Sequence, residues 1–376
     1  MGRHRQRATA ALALVLVGTL VAALGACAPA APSVVASPVA VAVAVASPPP
    51  ASPTPSPSPT PTPSPTPSPT PLSAESHLTG LPADPQKGHR TPIAVMIDDA
   101  RAARPQSGFN GAAVVYQAPA DGYETRYLMI FGDADSAKVG PVRSARLYLV
   151  QWSMETASTI SHYGGDRRTR IYIKAHPELM SDVDGIGAGA KAYHRVKSRN
   201  APHNAYTSTK SLRKMAIKLK APLLMAADIH QRAFVDASPI KARAASQRIR
   251  IPYNTNVVTW SFDRRTDRYR RSVNGTPQID PADGKRVTTT NVVVLFQKFR
   301  IDTKIEPGHA RPDITTIGTG VAWIYREGRV LKATWRKASD TAPTLLLDKA
   351  GKEIPLIRGR TFFQVVPRGT KVTHGR

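Results

Sequence analysis

The sequence predicts an α+β protein. A mixed α/β N-terminal domain over residues 79–245 is followed by a mainly-β C-terminal domain over residues 246–376, behind an export signal and a proline-rich stalk. Sixteen of the 34 prolines fall within residues 28–78. From Leu81 to Ala245 short apolar runs alternate with helical patterns, and from Arg248 onward only strand patterns recur.

Residues 1–26 read as a lipoprotein signal peptide. Arg3, Arg5 and Arg7 precede an uncharged, mostly apolar run of 19 residues from Ala8 to Ala26. The run ends in Leu24-Gly25-Ala26-Cys27, the lipobox arrangement of an apolar residue, two small ones and the cysteine that accepts a diacylglycerol. Cys27 is the only cysteine, so an intramolecular disulfide is excluded and lipidation is its expected role. The competing reading is an uncleaved membrane anchor, since spanning a bilayer takes about 20 apolar residues. Either way the rest of the chain lies outside the cytoplasm, anchored to the bacterial cell membrane, and the lipid at Cys27 makes that membrane its first partner.

Residues 27–78 carry the lipidated cysteine and a disordered stalk. Between 28 and 78 there is no Lys or Arg and one acid, Glu75, and from Ser52 to Pro71 the chain is a Ser/Thr-Pro repeat. Proline fixes φ and removes the amide donor, so polyproline II is the default, and these 20 residues would reach about 60 Å.

In the N-terminal domain Ile93–Ile97 is a continuous apolar run ending in Asp98-Asp99, a buried strand opening into a loop. Ala113–Tyr116, Arg126–Phe131 and Thr159–Tyr163 read as further strands. Ser144–Ala157 has helical spacing with Leu147, Val150, Gln151 and Met154 on one stripe, and Ser208 is a suitable N-cap for a basic amphipathic helix to Leu219. The C-terminal strands are Val257–Phe262, Tyr269–Val273, Asn291–Phe296, Val321–Tyr325, Val330–Trp335, Thr344–Leu347 and Phe362–Val366, with turns at Asn274-Gly275, Asp283-Gly284, Glu327-Gly328 and Ala350-Gly351. Seven short strands suggest a small barrel or sandwich, or an extension of the first domain's sheet.

The sequence resembles the YerB-like family of bacterial lipoproteins. The resemblance runs through Pro92–Asp98, Ala103–Gly108, Val115-Tyr116, Thr125-Arg126, Gly140-Pro141-Val142-Arg143-Ser144-Ala145-Arg146, Gly164-Gly165, Ala201-Pro202-His203-Asn204 and Tyr206-Thr207. It continues in Tyr269-Arg270-Arg271, Asp280, Asn291–Val294, Gly318-Thr319-Gly320 and Thr334-Trp335. It implies a two-domain architecture and an extracytoplasmic address. It implies no reaction, because the family has none established. Gln117 stands where the family usually has Glu.

The residues themselves offer an anion site. Arg104, Arg126, Arg143 and Arg146 sit at predicted strand ends and turns, and arginine's planar fork suits carboxylate or phosphate. Were Arg143 and Arg146 in a helix's first turn, the helix dipole would add to the attraction. The competing reading pairs each Arg with Asp98, Asp121 or Asp166 to fasten loops. Asp98, His162, His203 and Asn204 form a candidate acid/base or polar site, against which stands a purely structural role. No Gly-x-Ser-x-Gly elbow surrounds Ser144, no His-x-x-x-His spacing supports a metal, and no cofactor is expected.

The charge is +26 overall and still +24 over residues 79–376, and residues 246–376 hold 25 bases against 11 acids. Arg264, Arg265, Arg268, Arg270 and Arg271 frame Tyr269. Outside the cytoplasm no specific nucleic acid is expected, and the fitting partners are an anionic wall polymer or an envelope protein. Three functions are therefore weighed: a lipoprotein binding an anionic envelope ligand or partner, which the residues favour narrowly; an extracytoplasmic hydrolase or transferase acting on phosphodiesters or glycans; and a scaffold for an envelope complex.

Overall fold

The computed structural model describes residues 74–375. The signal peptide, Cys27 and the Ser/Thr-Pro repeat lie outside the described residues. The strands that organise the fold are β1 (Ile93–Asp98), β2 (Val114–Pro119), β3 (Thr125–Phe131), β4 (Thr159–His162), β5 (Asp182–Asp184), β6 (Arg248–Pro252), β7 (Val257–Asp263), β8 (Arg268–Val273), β9 (Asn291–Gln297), β10 (Gly318–Arg326), β11 (Arg329–Lys337), β12 (Leu345–Leu347), β13 (Thr361–Pro367) and β14 (Thr373–Gly375). Three helices accompany them, α1 (Leu147–Met154), α2 (Arg167–Ala175) and α3 (Thr209–Lys218).

A ten-stranded sheet runs in the order β12-β11-β10-β9-β13-β2-β3-β1-β4-β5. β1, β4 and β5 are parallel neighbours, β13 lies parallel between β9 and β2, and the other pairings are antiparallel. The N-terminal region is thus mixed α/β and the C-terminal region largely β. The barrel or sandwich expected of the later strands does not form. β9 to β13 extend the sheet begun by β1 to β5, and β6, β7, β8 and β14 make a second, antiparallel sheet. Parallel insertion of β13 buries that strand on both faces, which explains its unbroken run Thr361–Val366.

The pleat divides the core into two layers. Ile93, Val95 and Ile97 join Tyr127, Met129, Val292, Phe362 and the second sheet's Ile249, Trp260 and Tyr269, with Leu212 of α3. Ala94 and Met96 face the opposite way, toward Tyr148, Leu149, Trp152 and Met154 of α1 and Ile173 of α2. The helix at 147–154 is shorter than the sequence spacing implies and buries more than the expected stripe. Tyr148, Leu149 and Trp152 are each at most 1% exposed, whereas Leu147 and Gln151 are half-buried. Trp152 stacks on Tyr116, with ring centroids 4.9 Å apart.

α3 follows its predicted cap, with Ser208 Oγ accepting from the Ser211 amide at 3.1 Å. α2 was not legible as a helix. It is capped by Asp166, whose Oδ1 accepts from the Thr169 amide at 2.9 Å.

Candidate functional site

The sheet sets the site. Three parallel strands, β1, β4 and β5, end side by side, and their carboxyl ends carry Asp98, His162 and Asp184. Side chains from loops meet at such ends in open α/β sheets. Antiparallel register puts Arg126 of β3 directly opposite Asp98. The Gly140–Arg146 segment pairs with the end of β1 on one side and the turn after β4 on the other, with the Arg143 amide bonded to the Met96 carbonyl and the Tyr163 amide to the Arg143 carbonyl. Gly140 has φ +145°, and a Cβ there would stand 2.7 Å from the Tyr206 ring, so glycine is required for this close crossing.

Asp98 is the hub. Its Oδ2 accepts the Nδ1–H of His203 at 2.7 Å and lies 3.4 Å from Arg143 Nε. Its Oδ1 takes the Ala100 amide at 3.1 Å. His203 Nε2 and the two terminal nitrogens of Arg143 have no hydrogen-bond partner among the described residues, and these side chains remain 22% and 29% exposed. They are the open polar groups of the cluster.

The other three predicted arginines are engaged. Arg126 and Arg146 both reach Asp121 Oδ2, at 3.5 Å and 3.0 Å, and Arg311 reaches Oδ1 at 3.1 Å. Burial alone would raise the Asp121 carboxyl, but Arg146, Arg126 and Arg311 outweigh it and hold its pKa down at about 2. Burial, helped by Arg146, lowers the Arg126 guanidinium to about 10. Arg104 donates from Nε to Asp99 Oδ1 at 3.0 Å and from Nη2 to the Asp99 carbonyl at 2.7 Å. Neither Arg143 nor Arg146 lies inside a helical turn, since α1 begins at Leu147 and Arg146 is its extended N-cap residue. Neither residue therefore sits in the first helical turn that the dipole argument required.

His162 is 1% exposed, and both ring nitrogens are occupied. Nδ1 lies 2.7 Å from the Gly164 carbonyl and Nε2 lies 2.8 Å from Asp182 Oδ1. Burial opposes its charge, yet Asp182, Asp184 and the carbonyl together raise its pKa. It ties β4 to β5 beneath the site. Asn204 is buried too, bracing its own loop through the Val196 and Arg199 carbonyls at 3.3 and 3.1 Å. Ser144 Oγ donates to the Tyr163 carbonyl at 3.2 Å. Among the described residues no group of three His, Cys, Asp or Glu side chains is arranged to hold a metal.

A buried polar chain that the sequence did not suggest supports this floor. Arg271 is 0% exposed, and its Nη2 donates to Gln117 Oε1 at 2.6 Å and to the Tyr127 hydroxyl at 3.2 Å. Gln117 Nε2 in turn donates to Asp99 Oδ2 at 3.1 Å. The amide therefore links a cation to an anion. A carboxylate at 117 could pair with Arg271 but could not donate to Asp99. Of the basic cluster around Tyr269, Arg270 pairs with Asp263 and Arg264 donates to the Ile240 carbonyl at 2.8 Å. Tyr269 is fully buried, its hydroxyl 2.9 Å from Gln247 Oε1, so it offers no stacking face.

Two family models match the chain, "Protein of unknown function (DUF3048) N-terminal domain" over residues 78–221 and the corresponding C-terminal domain over residues 249–363. The Bacillus subtilis (strain 168) protein named "Putative lipoprotein YerB" is 30% identical over 301 residues, covering 77% of this chain and 85% of the relative. The crystal structure of the YerB protein from Bacillus subtilis superposes with a TM-score of 0.71 at 26% identity, over 80% of this chain and 99% of that one.

Proposed function

Since the chain belongs to the DUF3048 family of YerB-like proteins, we propose that it is an extracytoplasmic lipoprotein, anchored to the bacterial cell membrane at Cys27, that binds an anionic cell-envelope group through Arg143 and His203. The lipobox Leu24–Cys27 and a relative named as a lipoprotein support the anchor. No helix among the described residues is long and apolar enough to cross a membrane.

The carrying observation is the shared oxygen. Asp98 Oδ2 accepts a hydrogen bond from His203 and lies 3.4 Å from Arg143 Nε as an ion pair, and the outer nitrogens of both side chains are open. A guanidinium fork beside an imidazole whose Nε2 donates once the ring is protonated suits a phosphate or carboxylate, and both groups stand against the same buried acid. Arg104, Arg126 and Arg146 serve this reading as the walls that hold the loops in place, not as ligand contacts. Titration of the chain with anionic wall polymer, wild type against Arg143→Gln, tests it.

One observation favours acid/base chemistry as a second reading. The Asp98–His203 pair has the orientation in which a buried carboxylate fixes the imidazole tautomer and leaves Nε2 open to take a proton. This reading expects His203→Ala to abolish hydrolysis of an envelope phosphodiester or glycan while the protein stays folded. Turnover that survives the substitution removes it.

A further inference from the structure

A second cationic cavity, of about 390 Å³, opens among Arg268, Lys285, Arg286 and Arg360, with Asp133 and Asp283 on its rim. Its arginines differ from those around Asp98 and Asp121. Among the described residues no carboxylate lies within 4.0 Å of Arg268, Arg286 or Arg360. Each is held by neutral oxygens instead. Arg360 donates to Asn110 Oδ1 at 3.1 Å and Thr288 Oγ1 at 2.9 Å. Arg286 donates to the Arg271 carbonyl at 2.7 Å and Ser272 Oγ at 2.8 Å, and Arg268 donates to Thr290 Oγ1.

These three guanidiniums are half-buried, and Arg268 is close enough to act on Arg360. Burial, reinforced by Arg268, lowers Arg360 to about 10. Asp283 and Asp280 offset part of this for Arg360, but four cations still face two carboxylates in the cavity, and the cost of gathering them falls when an anion enters. The backbone accommodates the cluster deliberately. Gly359 has φ +134°, and a Cβ there would lie 3.0 Å from Arg268 Nη1 and collide with the Thr290 hydroxyl. Neutral anchors also leave donors unspent. Arg268 Nε and Nη2, Arg286 Nη1 and Arg360 Nε have no hydrogen-bond partner among the described residues. The two rim carboxylates are partly occupied, Asp133 by the Ser76 hydroxyl and Asp283 by the Asn110 amide.

We propose that this cavity is a binding site for a phosphate ester. Several guanidinium forks and one ammonium match the oxygens of a phosphoryl group, and the volume exceeds that of a bare ion, leaving room for a small polyol or headgroup. The site is separate from Asp98 and Arg143, and neither proposal depends on the other.

The test is calorimetric titration of the purified full chain with sn-glycerol 3-phosphate and with dihexanoylphosphatidylglycerol kept below its micellar concentration, glycerol serving as control. Saturable binding of either ester is expected, weakened at least about tenfold by Arg286→Gln or Lys285→Gln, as loss of one charge-assisted hydrogen bond implies. Lys285 is exposed, so its substitution spares the fold if Arg286→Gln does not. Preference for glycerol phosphate assigns a soluble ester, and preference for the lipid assigns a membrane headgroup. Absence of binding to both esters, or equal affinity in wild type and both variants, overturns the proposal.

Discussion

Asp98 Oδ2 lies 2.7 Å from His203 Nδ1 and 3.4 Å from Arg143 Nε, so one buried oxygen aims two side chains that are 105 and 45 residues away in sequence. Asp98→Asn keeps the volume and removes the charge. It is expected to weaken binding of an anionic envelope ligand about tenfold, through disordered Arg143 and His203, while costing only about 1–2 kcal/mol of stability. Parallel ligand titration and urea unfolding check both halves of this statement.

Asp121 holds three guanidiniums at once. Asp121→Asn leaves Arg126 buried without a paired carboxylate and Arg146 with only Asp166, 3.7 Å away, and is expected to destabilise the protein by about 3 kcal/mol, read from urea unfolding at neutral pH. Because the folded pKa of about 2 lies below the ordinary 3.8, the carboxylate's contribution is present above pH 3.8 and lost as pH falls toward 2. The variant's stability is expected to be flatter than wild type across that acid range.

His162 reverses the sign. Its folded pKa is raised above the ordinary 6.5, so its contribution is full below that value and lost as pH rises through the folded pKa. The stability gap between wild type and His162→Gln is therefore expected to narrow as pH rises above 6.5 and through the raised folded value. Thermal unfolding across that range measures it, and a constant gap removes the charged-histidine account.

Gly140→Ala forces a Cβ into the Tyr206 ring at a φ of +145°. A loss of about 2–3 kcal/mol is expected from the strained backbone and the displaced ring. Near-neutral behaviour in chemical denaturation would show that the Gly140–Arg146 crossing has room to spare.

The central strands were legible because they are buried on both faces and read as unbroken apolar runs, Ile93–Ile97 and Val292–Phe296 above all. α2 was not legible, since Arg167–Ala175 is mostly basic and polar and buries little beyond Thr169 and Ile173. Its one signal was Asp166 in the N-cap position. The exposed hairpin of Phe299–Glu306 with His309–Ile314 was missed for the same reason, lacking a buried face to pattern it. The site residues were recognisable by type, and Asp98 and Asp121 were already named as their structural partners. Which arginine stays open was not readable. Arg146 and Arg311 converge on Asp121 from 25 and 190 residues away, a meeting made when the hairpin carrying Arg311 packs on the turn at Asp121. The phosphate cavity was hidden more deeply, because Arg360 joins Arg268 and Arg286 only once β13 inserts between β9 and β2.

The most direct test of the envelope-binding account is an equilibrium titration of the full chain with anionic wall polymer at about 0.05 and 0.5 M salt, comparing Arg143 with Arg143→Gln in the Arg286→Gln background so that the second cavity is silent. Saturable binding that falls at least about tenfold with loss of Arg143, and again at high salt, is the predicted result. Equal affinity with and without Arg143, or affinity indifferent to salt, would contradict it.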